Sequence, residues 1–386
     1  MSMGSMTSCE SLLDADLGPS PSGSHQQSSG AGAGAGAAGP PERVAIVGSG
    51  NWGSAIARIV GRNVVEQEGF ETTIRQWVYP EPVVGPDGRE ACLTEVINRE
   101  HENVKYLPGV KLPESVVAEG DLALAVKDAT ILIFVLPHQF LGRVLPTVAK
   151  ALGLGGGGDG AAPAGRRIRA VSLIKGVDKG PDGLKLISDH IREGLCGAVP
   201  LGLADEDYLS CRPEGLSVTS DADTYTLRLL FNRPTFRVTV VRNAPATVEL
   251  CGALKNVVAL GAAFCDGLGY GGNTKAAIVR TGLAEMRIFA ERLRTDASFD
   301  ATASSRAFLE SCGIGDLMTT CYGNSRNRKC AEMFAREGGK RSWEQLEADE
   351  LGGMKLQGPS TAVEAFGVIK KRESIRRFPL LTTIYR

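Results

Sequence analysis

The stretch VAIVGSGNWGSAIARIV, Val44 to Val60, decides how the rest of the chain is read. RVAIVG is a continuous apolar strand that ends in glycine, and from Asn51 the apolar residues recur at helical spacing. Between them lies G-x-G-x-x-G, at Gly48, Gly50 and Gly53. Alone the pattern is weak. Closing a strand and opening a helix, it has the context of a dinucleotide-binding turn. Gly48 permits the tight turn, Gly50 lets the backbone approach a pyrophosphate, and Gly53 lets helix and strand pack closely. The helix N-terminus offers its free N–H groups and the positive end of its dipole to the phosphates. Gly48, Ser49, Gly50, Asn51, Trp52 and Gly53 are therefore the candidate cofactor-binding residues of this loop.

Downstream, TTIRQWVY (Thr72 to Tyr79) reads as a second strand. An acidic residue on a ribose is expected after it. Glu81 in WVYPEP is the candidate, flanked by Pro80 and Pro82, and no arginine follows at once, which favours NAD over NADP. Tyr79 is placed to pack near the adenosine, or simply to end the strand. ILIFVLP and IRAVSLIKG read as further strands, LGRVLPTVAKAL and LKLISDHIREGL as helices, and FRVTVV (Phe236 to Val241) as the last strand. Strands alternating with helices predict a doubly wound, mainly parallel sheet with right-handed crossovers. From Pro245 the pattern is helical, with Pro245 suited to a first turn and Asn243 to a cap. The expected organisation is a Ser/Gly/Ala-rich disordered tail over 1–41, an α/β dinucleotide domain over 42–242 and an all-α domain over 243–386. Gly153 to Gly165 is expected to be a flexible surface loop.

Composition sets limits on function. The 386 residues carry a net charge of -1, so neither a nucleic acid nor a basic partner is indicated. No apolar run approaches the ~20 residues expected of a bilayer span. The nine cysteines hold no C-x-x-C pair and read as scattered reduced thiols. His25, His101, His138 and His190 lack metal-ligand spacing, and no metal is expected.

Ligands of such sheets bind beyond the carboxyl ends of the strands. FVLPHQF puts His138 and Phe140 there, and SLIKGVDKG puts Lys175 there, suited to an anionic substrate or to a solvated loop. VELCGALKNVVALGAAFCDGLG, Val248 to Gly269, is almost wholly apolar yet holds Lys255 and Asn256. An unpaired buried ammonium is costly, so Lys255 either snorkels to water or lines a cleft where its charge is used.

Together, VGSGNWGSAIA, HENVKYLPG, PHQF, SLIKGVD, the Lys255 helix, NTKAA, DLMTTCYGNSRNRK and KLQGPSTA resemble NAD-dependent glycerol-3-phosphate dehydrogenase of the eukaryotic cytosolic type, from Arg43 to Arg386. The resemblance implies a Rossmann domain followed by a helical substrate domain. It also implies a cytoplasmic homodimer that interconverts dihydroxyacetone phosphate and sn-glycerol 3-phosphate with NAD. On it, Lys255 matches the catalytic acid/base, beside Lys175, Asn256, Asp316 and Thr320. Arg326 and Asn327 match the pair that holds the substrate phosphate, with Arg326 also approaching the cofactor. Lys355, Gln357, Phe140 and Tyr79 match positions near the dinucleotide.

Three departures stand out. The family's G-A-N-I-A strand motif has no counterpart between the LKLIS helix and FRVTVV, so a strand neighbour is expected to lose pairing. The end FPLLTTIYR suggests an incomplete final helix, and NSRN holds one residue more than the family before the arginine. The missing motif keeps a second reading open, a non-catalytic NAD-binding protein with a regulatory role. A third is a dehydrogenase of another small phosphorylated substrate.

Overall fold

The computed structural model describes residues 40–154, 168–180, 183–196, 208–212, 215–218, 221–242, 244–293 and 300–386. Residues 1–39 of the expected tail, most of the Gly153 to Gly165 loop, Asn243, and residues 197–207, 213–214 and 219 of the altered interval lie outside these.

The opening stretch forms strand β1 (Val44–Val47), all four residues buried, followed by helix α1 (Asn51–Glu66). Strands β2 (Ile74–Trp77), β3 (Val116–Glu119) and β4 (Ile131–Phe134) follow. Helix α2 (Leu141–Ala151), strand β5 (Arg169–Ser172) and helix α3 (Ile187–Cys196) continue the alternation. Strands β6 (Tyr208–Arg212), β7 (Gly215–Val218) and β8 (Val240–Arg242) complete one eight-stranded sheet in the order β8-β7-β6-β5-β4-β1-β2-β3. Every pairing is parallel except β6 with β7. From β1 the chain winds first toward β3 and then, through β4, toward β8. The β1/β4 boundary is thus the switch point, where such sheets hold ligands beyond the strand ends. Side chains alternate across β1: Val44 and Ile46 join one apolar core, Ala45 and Val47 the core on the other face.

Two features differ from the sequence expectation. β5 is not left unpaired, because Tyr208, Leu209 and Ser210 pair in parallel with Ala170, Val171 and Ser172. Backbone hydrogen bonding along a strand needs no particular side chain, so the G-A-N-I-A motif can vanish while the ladder persists. The last strand covers only Val240–Arg242, because Phe236 bridges back to Arg233 and packs its ring on Trp52.

The second half is helical: α4 (Pro245–Gly267), α5 (Gly272–Leu293), α6 (Asp316–Tyr322), α7 (Arg326–Arg336), α8 (Gln357–Lys371) and α9 (Pro379–Tyr385), with shorter helices between. Pro245 stands in the first turn of α4, where its missing N–H costs no intrahelical bond. α4 is long and apolar enough to cross a membrane, a length that the sequence reading passed over. Its apolar window is 94% buried inside the molecule, surrounded by α5, α6, α7, α8 and α9, and it is the core helix of this half. α9 is held by Glu285 on α5, whose carboxylate accepts the N–H groups of Leu380 (2.8 Å) and Leu381 (2.9 Å). Val177 and Leu186, beyond β5, pack into the helical core, and Glu249 of α4 accepts the Ser188 N–H at 3.2 Å. These contacts set the carboxyl edge of the sheet against α4.

Candidate active site

The loop after β1 is fixed by sterics before any ligand is considered. Gly48 has φ +123°, and a Cβ there would lie 2.2 Å from the Val135 carbonyl oxygen beyond β4. A Cβ on Gly53 would lie 2.5 Å from the Gly48 oxygen. Both glycines are therefore demanded by the fold itself. Gly50 is different: its backbone is extended and nothing lies within 4 Å of its Cβ position. No side chain caps the first turn of α1, and no acidic residue stands there. An open glycine beside uncapped N–H groups fits the phosphates of a dinucleotide.

Buried polar side chains behind the loop hold it in shape. Gln76 Nε2 donates to the Gly48 oxygen at 2.9 Å. Asn103 Nδ2 donates to the Ser49 oxygen and to Ser54 Oγ, each at 2.9 Å. Asn51 Nδ2 donates to the Tyr106 oxygen at 2.9 Å. Gln76 and Asn103 escaped the sequence reading, although Asn103 lies in the quoted HENVKYLPG. Trp52 and Asn51 turn their side chains to protein partners, which leaves their N–H groups, not those side chains, for phosphate.

At the next strand end Tyr79 is 66% exposed, with its ring edge-on to Trp77. The Glu81 carboxylate is ion-paired with Lys105, which accounts for its charge within the protein. Phe140 is exposed in the short helix His138–Phe140 beyond β4. Gln357 Oε1 and His138 Nδ1 both face Gly176, 3.9 and 4.0 Å from where its Cβ would lie. The first turn of α8 thereby meets the β4 and β5 loops.

Lys255 lies in the middle of α4 and is only 3% exposed. It does not snorkel. Its ammonium is ion-paired with Oδ2 of Asp316, the first residue of α6. Lys175, from the β5 loop, brings its Nζ to 3.8 Å from the same oxygen. Three chain segments thus converge on one carboxylate. A π-helical turn, Ser311–Gly315, delivers Asp316 to this position; such turns are concentrated at functional sites. Thr320 Oγ1 donates to the Asp316 carbonyl oxygen at 2.6 Å, so its hydroxyl steadies the turn. Next to Lys255, the Asn256 Oδ1 accepts from Asn327 Nδ2 at 3.0 Å, and Asn327 Oδ1 accepts the Gly358 N–H at 2.9 Å. This chain of amides ties α4, α7 and α8 together at the site.

Arg326 and Lys355 stand apart from this cluster. Arg326 begins α7, is exposed, and directs Nη1 to the Met354 sulfur at 3.6 Å. Lys355 is 75% exposed and pairs with Glu347 at 2.7 Å. Held by Met354 and Glu347 and exposed to solvent, both line the rim rather than the floor. Sequence spacing could not reveal this, because the direction of a long exposed side chain is set by its tertiary neighbours.

Behind α7 lies a further charged cluster. The Asp266 carboxylate takes Lys275 Nζ at 2.6 Å and the Arg328 fork at 2.9 and 3.0 Å. Burial opposes its ionised form, but the Lys275 and Arg328 hydrogen bonds outweigh this and hold it below the usual 3.8. Its contribution to stability is therefore present above 3.8 and is lost as pH falls through the lowered value. Because Arg328 follows Arg326 and Asn327, this carboxylate also anchors the turn that carries them. We expect Asp266→Asn to cost about 2–3 kcal/mol at neutral pH, since it strips the buried Lys275 of its carboxylate. Chemical denaturation would measure it, and the difference from wild type should shrink in acid. Nearby, burial pushes the Cys321 thiol up to about 12, so it is an inert core residue rather than a nucleophile.

The comparisons agree with this geometry. Residues 43–203 match the profile described as NAD-dependent glycerol-3-phosphate dehydrogenase N-terminus, and residues 245–386 match the profile of its C-terminus. The Danio rerio glycerol-3-phosphate dehydrogenase 1-like protein is 48% identical over 351 residues, covering 90% of this chain and 93% of that relative. The Pongo abelii cytoplasmic glycerol-3-phosphate dehydrogenase [NAD(+)] is 48% identical over 353 residues, covering 89% of this chain and 93% of that relative. Among solved structures, the Plasmodium falciparum glycerol-3-phosphate dehydrogenase superposes with a TM-score of 0.76 at 32% identity, covering 90% of this chain and 91% of that one. The non-catalytic reading is not favoured by these likenesses. With a doubly wound sheet, a sterically fixed dinucleotide loop and a buried lysine–carboxylate pair joined by Lys175 from the β5 loop, the chain belongs to the NAD-dependent glycerol-3-phosphate dehydrogenase family.

Proposed function

We propose that this chain reduces dihydroxyacetone phosphate to sn-glycerol 3-phosphate with NADH, and runs the reverse oxidation, with Lys255 as acid/base. The observation that carries the reading is the buried Lys255–Asp316 pair with Lys175 at 3.8 Å from the same carboxylate oxygen. When bound, NADH supplies the hydride for the substrate C2 carbonyl. The N–H groups of Gly50 to Gly53 would hold its pyrophosphate, and Tyr79, Phe140, Lys355, Gln357 and Arg326 are the residues that would border the dinucleotide.

Lys255 stabilises the negative charge that develops on the carbonyl oxygen and donates a proton to it. Asp316 offsets the charge of Lys255 and fixes its direction, and Lys175 adds a second cation to attract the anionic substrate. The planar Arg326 fork suits a phosphate, supported by Asn327 at the start of α7. Asn256 and Thr320 hold the elements that carry these groups. The reading extends to a cytoplasmic location, supported by the cytoplasmic enzymes among the relatives, and to a homodimer, which rests on the family resemblance alone.

Comparing dihydroxyacetone phosphate with unphosphorylated dihydroxyacetone tests the phosphate assignment. kcat/KM should fall by about 10³-fold or more without the phosphate, whose binding energy is used at the reacting centre. Equal kcat/KM for the two would remove Arg326 and Asn327 from phosphate recognition.

A further inference from the structure

At the far end of α8 the chain turns through KKRESIRR, Lys370 to Arg377, before α9 begins. This turn and the end of α5 border an open hollow of about 700 Å³, lined by Arg292, Lys370, Arg372, Arg376 and Arg377, with Glu373, Ser374 and Ile375 between them. Among the described residues five cations face one carboxylate there, in a chain whose overall net charge is -1. Like charges held this close repel, so the concentration needs a cause.

Helix ends explain part of it. α5 and α8 both finish here, and cations are favoured near helix C-termini. Arg372 donates Nη1 to the Arg292 carbonyl oxygen, and Lys370 lies in the last turn of α8. Arg376 and Arg377 are surplus to this. They sit on the short helix Ile375–Arg377, past the end of α8, and are exposed. Among the described residues neither joins an ion pair.

The backbone beneath them is firmly held. Ser374 N donates to the Ile369 oxygen at 3.0 Å and Arg377 N to the Ser374 oxygen at 2.9 Å. Phe378 is buried edge-on against Phe289, with ring centroids 5.9 Å apart. The hollow is shallow and open to solvent, and its volume falls in the range of small-ligand sites. The candidate active site meets the other end of α8, about 20 Å away along the fifteen-residue helix.

We propose that this hollow binds a ligand carrying clustered phosphate groups. Arginine forks match phosphate oxygens in pairs, and several cations around one hollow suit a multivalent anion better than a monoanion. The same chemistry occurs in a soluble polyphosphate and in a phosphorylated lipid headgroup.

The test uses the full chain with NADH present, so that its own phosphate loop is filled. Inorganic tripolyphosphate is titrated by calorimetry at low salt. In parallel, sedimentation is followed with phosphatidylcholine vesicles with and without phosphatidylinositol bisphosphate. The expected result is binding that weakens as salt rises and falls about tenfold or more in the doubly substituted Arg376→Ala, Arg377→Ala chain, with its dehydrogenase turnover unchanged. Binding of tripolyphosphate alone identifies a soluble ligand; matching capture by the phosphoinositide vesicles identifies the headgroup. Absence of binding in both arms, or binding indifferent to the two substitutions, overturns the site.

Discussion

Lys255→Met is expected to lower kcat by about 10²–10⁴-fold while NADH binding is retained. Methionine fills nearly the same volume in the middle of α4, so the core around Leu254 and Val258 keeps its packing. Asp316 keeps a cation nearby, because Lys175 lies 3.8 Å from its Oδ2. What disappears is the proton at the carbonyl oxygen. The dinucleotide loop belongs to β1 and α1, and its shape is set by Gln76 and Asn103 rather than by Lys255. NADH fluorescence titration and steady-state rates on one preparation separate the two effects. A variant with near-normal kcat would remove Lys255 from the acid/base role.

Two glycines of the same loop should fail in opposite ways. Gly48→Ala places a Cβ 2.2 Å from the Val135 oxygen at a φ of +123°. The neighbour is backbone, and it cannot step aside without disturbing β4. We expect a loss of several kcal/mol of stability, roughly 3–5, read as a large fall in Tm. Gly50→Ala meets nothing within 4 Å and stands in extended backbone. Its stability should change by less than about 1 kcal/mol. Its methyl group would, however, enter the open space proposed for the phosphates, and NADH affinity should fall about 100-fold or more while the fold survives. A Gly50→Ala chain that binds NADH normally would show that the loop is only a tight turn.

How much of this was legible follows from where each cause resides. The positive φ of Gly48 and the approach of Gly53 to the Gly48 oxygen are local, and spacing reveals them; the approach of the Val135 carbonyl to Gly48 is tertiary and leaves no mark in the spacing. The alternation of β1, α1 and β2 is likewise written in periodicity. The Lys255 side chain was legible only as an anomaly, an ammonium in an apolar helix. Its partner Asp316 is distant in sequence and is found through packing of α6 against α4. Side-chain directions were the least legible. Trp52 could have faced a cofactor, but Phe236 covers it at 6.2 Å; Glu81 could have met a ribose, but Lys105 takes its charge. The supporting amides Gln76 and Asn103 left no pattern, since one hydrogen bond to a loop carbonyl imposes no periodicity. The β6 ladder forms without the G-A-N-I-A motif because a backbone pairing does not require a particular side-chain motif.

The most direct test follows NADH absorbance when purified full-length protein meets dihydroxyacetone phosphate. The account predicts rapid loss of NADH that requires both protein and the phosphorylated ketone, and that is abolished by Lys255→Met. A folded chain that binds NADH yet leaves its absorbance unchanged would contradict the proposed reaction.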